Sequence, residues 1–123
     1  NFPLATVIHP SAQIAEDVKI GKGSVIFANV VINFGAIVKE ACIVNTAATI
    51  DHDCLLSNSV HISPGANLGG GVSVGELSWV GIGSCVIHNC TIGPNVKIGA
   101  GAAVISNGPG ACTFVGVPAS QAI

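Results

Sequence analysis

The chain has 123 residues, half of them hydrophobic, with a net charge of −2 and no arginine. That length supports one domain, and with only Lys19, Lys22, Lys39 and Lys97 as cations it lacks the electrostatic footprint of nucleic-acid binding. The most apolar stretch, Val25 to Val38, is broken by Asn29, Asn33 and Gly35 and falls short of the ~20 residues of a membrane-spanning helix, so neither a nucleic-acid nor a membrane partner is expected.

Residues 1–7 open with Asn1-Phe2-Pro3-Leu4, and the chain contains no Met. They are expected to be a linker remnant that follows a domain outside this sequence, and no secretory-signal pattern is legible in them. From Ile8 onward every sixth residue through Val104 is Ile, Val or Leu, so seventeen hexads run in register for 102 residues. Four places after each aliphatic residue the side chain is small or is Val, as at Ala12, Val18, Ser24, Val30, Ala36 and Cys42. Three places after it, twelve of the seventeen hexads carry Gly, Asn or Asp, the residues that best tolerate positive φ in a turn.

A repeat this short cannot bury its apolar face alone. It must coil on itself, three hexads to a turn of 18 residues, as a three-sided parallel β-helix of nearly six coils over residues 8–109, followed by a C-terminal tail over 110–123. Residues 18 apart then stack at ~4.8 Å. The aliphatic residues form three internal ladders: 8-26-44-62-80-98, 14-32-50-68-86-104 and 20-38-56-74-92. A slip of one residue would expose a whole ladder, which fixes the register. No hexad is interrupted, so an active site must be built from outward positions of the coil or from a second chain.

Of the five cysteines, Cys42, Cys54 and Cys90 fall on the small inward position. They read as core packing in a reducing compartment, hence a cytoplasmic protein. Cys54 and Cys90 share a ladder but lie two coils apart, too far to bridge. Cys85 faces outward and Cys112 lies in the tail, without the partners of a nucleophile.

The four histidines are the candidates for chemistry. His9, before Pro10, reads as a structural cap. His52 lies in Asp51-His52-Asp53-Cys54, at a turn that has no structural need of imidazole, and a carboxylate beside an imidazole fixes its tautomer and favours proton uptake. Asp53 also fits the bland role of a turn residue. His61 is on an outward position with Trp79, the only Trp, one coil above it, and His88 lies two coils beyond His52 with Gly70 between them.

A metal site is the rival use of these histidines. The 36-residue separation of His52 and His88 resembles that of two zinc ligands in the gamma-class carbonic anhydrases, but Gly93 stands at the third ligand's place, and two imidazoles make a poor zinc site. No metal is therefore expected. A structural or ice-binding rod would need rows of Thr, and Thr46, Thr49 and Thr91 make none.

The hexad run resembles the left-handed β-helix of the hexapeptide acyltransferases, and the handedness is taken from that resemblance. Val44-Asn45-Thr46, Ile50-Asp51-His52-Asp53-Cys54, Val60-His61-Ile62-Ser63-Pro64-Gly65-Ala66, Gly69-Gly70-Gly71-Val72 and the closing Val115-Gly116-Val117-Pro118-Ala119 are similar to the sialic acid O-acetyltransferases and the nucleotide-amino-sugar N-acetyltransferases. The resemblance implies acetyl-CoA-dependent transfer to an amino or hydroxyl group of a nucleotide-linked sugar. It implies His52 as general base, Asp53 as its acidic partner, and His61 beside the acetyl group and thioester. It places Asn45 near the reacting centre, Gly70, Ile82 and Ala100 along the cofactor groove, and that groove between subunits of a homotrimer. Outward apolar Val25, Val31, Phe34, Ile37 and Ile43 agree with a subunit contact there. Ser120-Gln121 stands where such enzymes commonly carry Lys or Arg, and their N-terminal α/β domain is not in this sequence. A non-catalytic trimeric scaffold is the alternative.

Overall fold

A computed structural model describes residues 4–122; Asn1, Phe2, Pro3 and Ile123 lie outside it, and with them part of the expected linker and the last residue of the tail. Among the described residues there is no helix, and so none long and apolar enough to cross a membrane. Two-residue strands recur every six residues from Val7–Ile8 to Ala103–Val104. They stack into three parallel sheets with a register of 18, as in Val25↔Ile43, Ile43↔His61 and His61↔Trp79.

The first sheet holds Val7–Ile8, Val25–Ile26, Ile43–Val44, His61–Ile62, Trp79–Val80 and Lys97–Ile98. The second runs from Gln13–Ile14 to Ala103–Val104 and the third from Lys19–Ile20 to Thr91–Ile92. This is the three-sided β-helix expected from the hexads. Each strand offers one side chain outward and one, always aliphatic, inward. The three inward ladders and the small residues at the corners form one buried core, in which each fully buried Ile or Leu is worth ~1.5–3 kcal/mol. Only the first coil is poorly covered, with Ile8 45% exposed because no described coil lies below it.

The corners turn on left-handed residues. All fourteen third-place positions from Gly23 to Gly101 have φ between 55° and 76°. They include Ala41, Ala47, Ser59 and Leu77, where residue type gives no turn signal. Beyond the coil, Thr113–Val115 adds a parallel strand above Lys97–Ile98, and Ser120–Gln121 pairs back on it antiparallel. Phe114 thereby packs over the last coil.

Candidate active site

Three successive coils build the corner between the second and third sheets around His52. Asp51 Oδ1 accepts from the backbone N–H of His52 at 2.7 Å and from Asn33 Nδ2 one coil below at 2.8 Å. The Asn33 amide, aided by the His52 N–H, holds the Asp51 carboxyl below its ordinary range. His52 Nδ1 lies 3.1 Å from Asp53 Oδ2. With Nδ1–H donating to that carboxylate, Nε2 is left as the proton acceptor on an imidazole about half exposed.

The ring itself is sandwiched. Phe34, at the same corner one coil below, stacks on it with centroids 5.6 Å apart and planes 12° from parallel. Above it, a methyl group at Gly70 would collide with Nε2 while lying 2.5 Å from Cε1 and 2.9 Å from Cδ2. One atom can be that close to all three only from above the ring face. Gly70 is therefore a glycine for space, and its Cα closes the upper side of the imidazole. Gly35 serves Asp53 similarly, since a side chain there would run into Asp53 Oδ1. His88 is exposed on the next coil beyond Gly70.

A second constellation lies on the first sheet. His61 and Trp79 are register partners in adjacent strands, and their rings stack with centroids 4.8 Å apart and planes 21° from parallel. The indole is fixed by Nε1–H donating to Ser63 Oγ at 2.7 Å. Asn45 Nδ2 lies 3.4 Å from His61 Nε2, the amide donating. Desolvation pushes the His61 imidazole below its usual range, which favours the neutral ring that can accept at Nε2 in its Nδ1–H tautomer. From His61 a groove of about 480 Å³ climbs past Trp79, Ile82, Lys97 and Ala100 to Thr113 in the tail. Its walls are mostly apolar, with His61 on the lowest coil that lines it and Lys97 two coils above.

The structure thus separates residues that the sequence grouped. His61, Ile82 and Ala100 share the groove and Asn45 touches His61, whereas Gly70 belongs to the His52 corner. The edge between the second and third sheets is opposite the first sheet, so within one chain His52 and the groove look away from each other. Among the described residues no group of three His, Cys, Asp or Glu side chains could hold a metal ion, and all five cysteines are free. Burial raises the thiols of Cys42, Cys54 and Cys90, which makes them unreactive. His9 caps its corner, its Nδ1 accepting from the Ser11 backbone N–H at 3.1 Å.

Comparison with known proteins shows what the chain is similar to. The acetyltransferase domain of PglB from Neisseria gonorrhoeae is 45% identical over 98% of this chain, with a TM-score of 0.97, and has also been solved in complex with acetyl coenzyme A. PerB from Caulobacter crescentus, in complex with CoA and GDP-perosamine, is 40% identical over 99% of the chain with a TM-score of 0.98. The chain belongs to the hexapeptide-repeat acyltransferases.

No family model matches this hexapeptide-repeat chain. A serine acetyltransferase of Synechococcus elongatus is 51% identical over 39 residues, 32% of this chain and 16% of that protein. The chain spans 59% of the length of PglB's solved domain and of PerB. The perosamine N-acetyltransferase has also been solved with one histidine replaced by alanine and by asparagine. Sequence reading alone did not find the Phe34 contact to His52. The signal was present, since Phe34 precedes His52 by one full coil.

Proposed function

We propose that this chain is the β-helix part of an acetyl-CoA-dependent nucleotide-sugar N-acetyltransferase that acts as a homotrimer in the cytoplasm. The observation that carries the proposal is the division of the surface into two halves that one chain cannot unite. One half is a proton acceptor, His52 Nε2, held by Asp53; the other is an apolar groove with His61, and Asn45 beside it, at its lower end. Side-by-side packing of copies brings the His52 corner of one against the groove of the next. The groove has the volume and apolar lining for an extended thioester arm, and Lys97 among its lining residues offers a charge for the phosphates of a coenzyme. The exposed Phe34, Ile37 and Ile43 on the lower coils gain cover in the same packing.

In this reading the sugar amine attacks the thioester carbonyl, a C–N bond forms, and the C–S bond breaks. His52 Nε2 takes the proton from the amine and returns it to the departing thiolate. The Gly70 N–H, whose neighbours Gly69 and Gly71 already donate to the carbonyls of Val86 and His52, and donors near His61 stabilise the developing oxyanion. An amine is favoured over a hydroxyl as acceptor because PerB is named for N-acetylation of a nucleotide-linked amino sugar.

The test is acetyl-CoA consumption by the intact protein with nucleotide-linked 4-amino sugars and with sialic acid. Turnover is expected with the amino sugars. His52→Ala should lower kcat by roughly 10²–10⁴-fold with acetyl-CoA binding and melting temperature little changed, and Asp53→Asn should cost less. Normal turnover in His52→Ala would remove His52 as the base. Absence of acetyl-CoA binding by the oligomer would favour the scaffold.

A further inference from the structure

We propose that Phe34 is a positioning residue for His52, its ring forming the lower jaw of a clamp whose upper jaw is the Cα of Gly70. The inference rests on His52 being the base, but its geometric content stands apart from that reading. An imidazole half exposed at a turn would ordinarily turn about χ2, and a half-turn puts Cδ2 where Nδ1 was and Cε1 where Nε2 was, so that Nδ1–H loses Asp53 and with it the bond that holds one tautomer. A single hydrogen bond from Nδ1 to Asp53, itself largely exposed, is a weak restraint against that motion. Two flat surfaces close to both faces of the ring are a stronger one, because any tilt drives the ring into Phe34 or into the Gly70 backbone.

The β-helix makes the clamp possible. Positions 34, 52 and 70 are the same corner place on three consecutive coils. The coil spacing of ~4.8 Å leaves room for one aromatic layer, if the residue above has no side chain. Phe34 is 60% exposed, too much for an ordinary core role. Asn33 and Gly35, its neighbours, hold Asp51 and leave room for Asp53. The whole triplet below His52 thus serves the triplet that contains it. In consequence Nδ1 stays on Asp53 and Nε2 keeps one direction, toward the place of the acceptor amine.

The experiment compares Phe34→Ala, Phe34→Leu and Phe34→Trp in the intact protein. Kinetics are read together with the ¹⁵N shifts of His52, which report which ring nitrogen carries the proton. In the parent protein the Nδ1–H tautomer should dominate. Phe34→Ala and Phe34→Leu should both mix the tautomers and lower kcat by roughly 10- to 100-fold, with KM for acetyl-CoA unchanged, whereas Phe34→Trp should restore both readouts. Phe34→Leu keeps apolar bulk for any contact with a neighbouring subunit, so wild-type behaviour in that variant would overturn the proposal in favour of a mere packing role. An unchanged His52 tautomer in Phe34→Ala would overturn it as well. If instead the tautomers mix but His52→Ala retains turnover, the clamp stands and the assignment of the base falls.

Discussion

His52 and His61 are nine residues apart, half of an 18-residue coil, and therefore stand on opposite sides of the prism. The separation follows from the repeat alone, and it means that any reaction using both needs two chains. It also gives a direct test. His52→Ala disables one half of the proposed site, and Ala100→Trp, which fills the groove, disables the other. Each variant alone should be nearly inactive. In mixed cyclic trimers about one quarter of the interfaces pair an intact His52 corner with an intact groove, so co-expression should restore about a quarter of the parent activity. Activity that stays at the level of the single variants would place the whole site within one chain.

Much of this was legible in the sequence because a β-helix converts spacing into proximity. The three aliphatic ladders, the inward cysteines and the stacking of His61 under Trp79 all follow from counting by six and by eighteen. Asp53 was legible as the chain neighbour of His52, whereas Asn45 came only from the family resemblance, as a residue near the reacting centre. Less legible was what each residue touches: that Gly70 lies against the imidazole of His52 depends on where the ring points and not on the repeat alone. The Ser63 hydroxyl that anchors Trp79 was not legible either, because a diagonal contact between coils depends on rotamers and not on period.

Acid should weaken the fold in two steps. The folded pKa of His61 is lowered by desolvation, so on acidification the unfolded chain binds this proton first. Stability is then full above an ordinary imidazole's pKa of ~6.5 and declines as pH falls through it. Asp51 is lowered chiefly by its hydrogen bond from Asn33. Its contribution is present above the ordinary carboxylate range and is lost as pH falls through the depressed folded value. Urea denaturation across pH 8 to 3 reads both. His61→Gln should flatten the first decline and Asn33→Ala the second; a first decline that persists in His61→Gln would assign it to another group.

Leu77 carries the clearest local conflict in the chain. It holds φ at 63° at a corner with the residue more than half exposed. A left-handed residue with a Cβ costs ~1–2 kcal/mol, while glycine returns ~0.5–1 of that through the entropy of the unfolded chain. Leu77→Gly should therefore stabilise the fold by up to ~1 kcal/mol, and Leu77→Asn should also stabilise, since Asn tolerates this region. Both should raise the urea midpoint without changing the slope. A lower midpoint in Leu77→Asn would mean that the exposed leucine side chain has a partner that one chain does not contain.

Trp79 makes the groove observable. It is the only Trp, it forms part of the groove wall, and its indole is held between the His61 ring and the Ser63 hydroxyl. A thioester arm laid along the groove would cover its exposed face and remove water from it. Indole emission should then shift to shorter wavelength and saturate with acetyl-CoA, giving a Kd that matches calorimetry. Trp79→Ala removes the stacking partner of His61 as well as the wall, and should weaken acetyl-CoA binding about 10-fold, the equivalent of ~1.4 kcal/mol. Ser63→Ala should broaden the emission of the free protein and weaken binding less, because the stack remains. If acetyl-CoA binds tightly in the calorimeter but leaves the emission unchanged, the coenzyme lies outside this groove and the division of the site between two chains has to be redrawn.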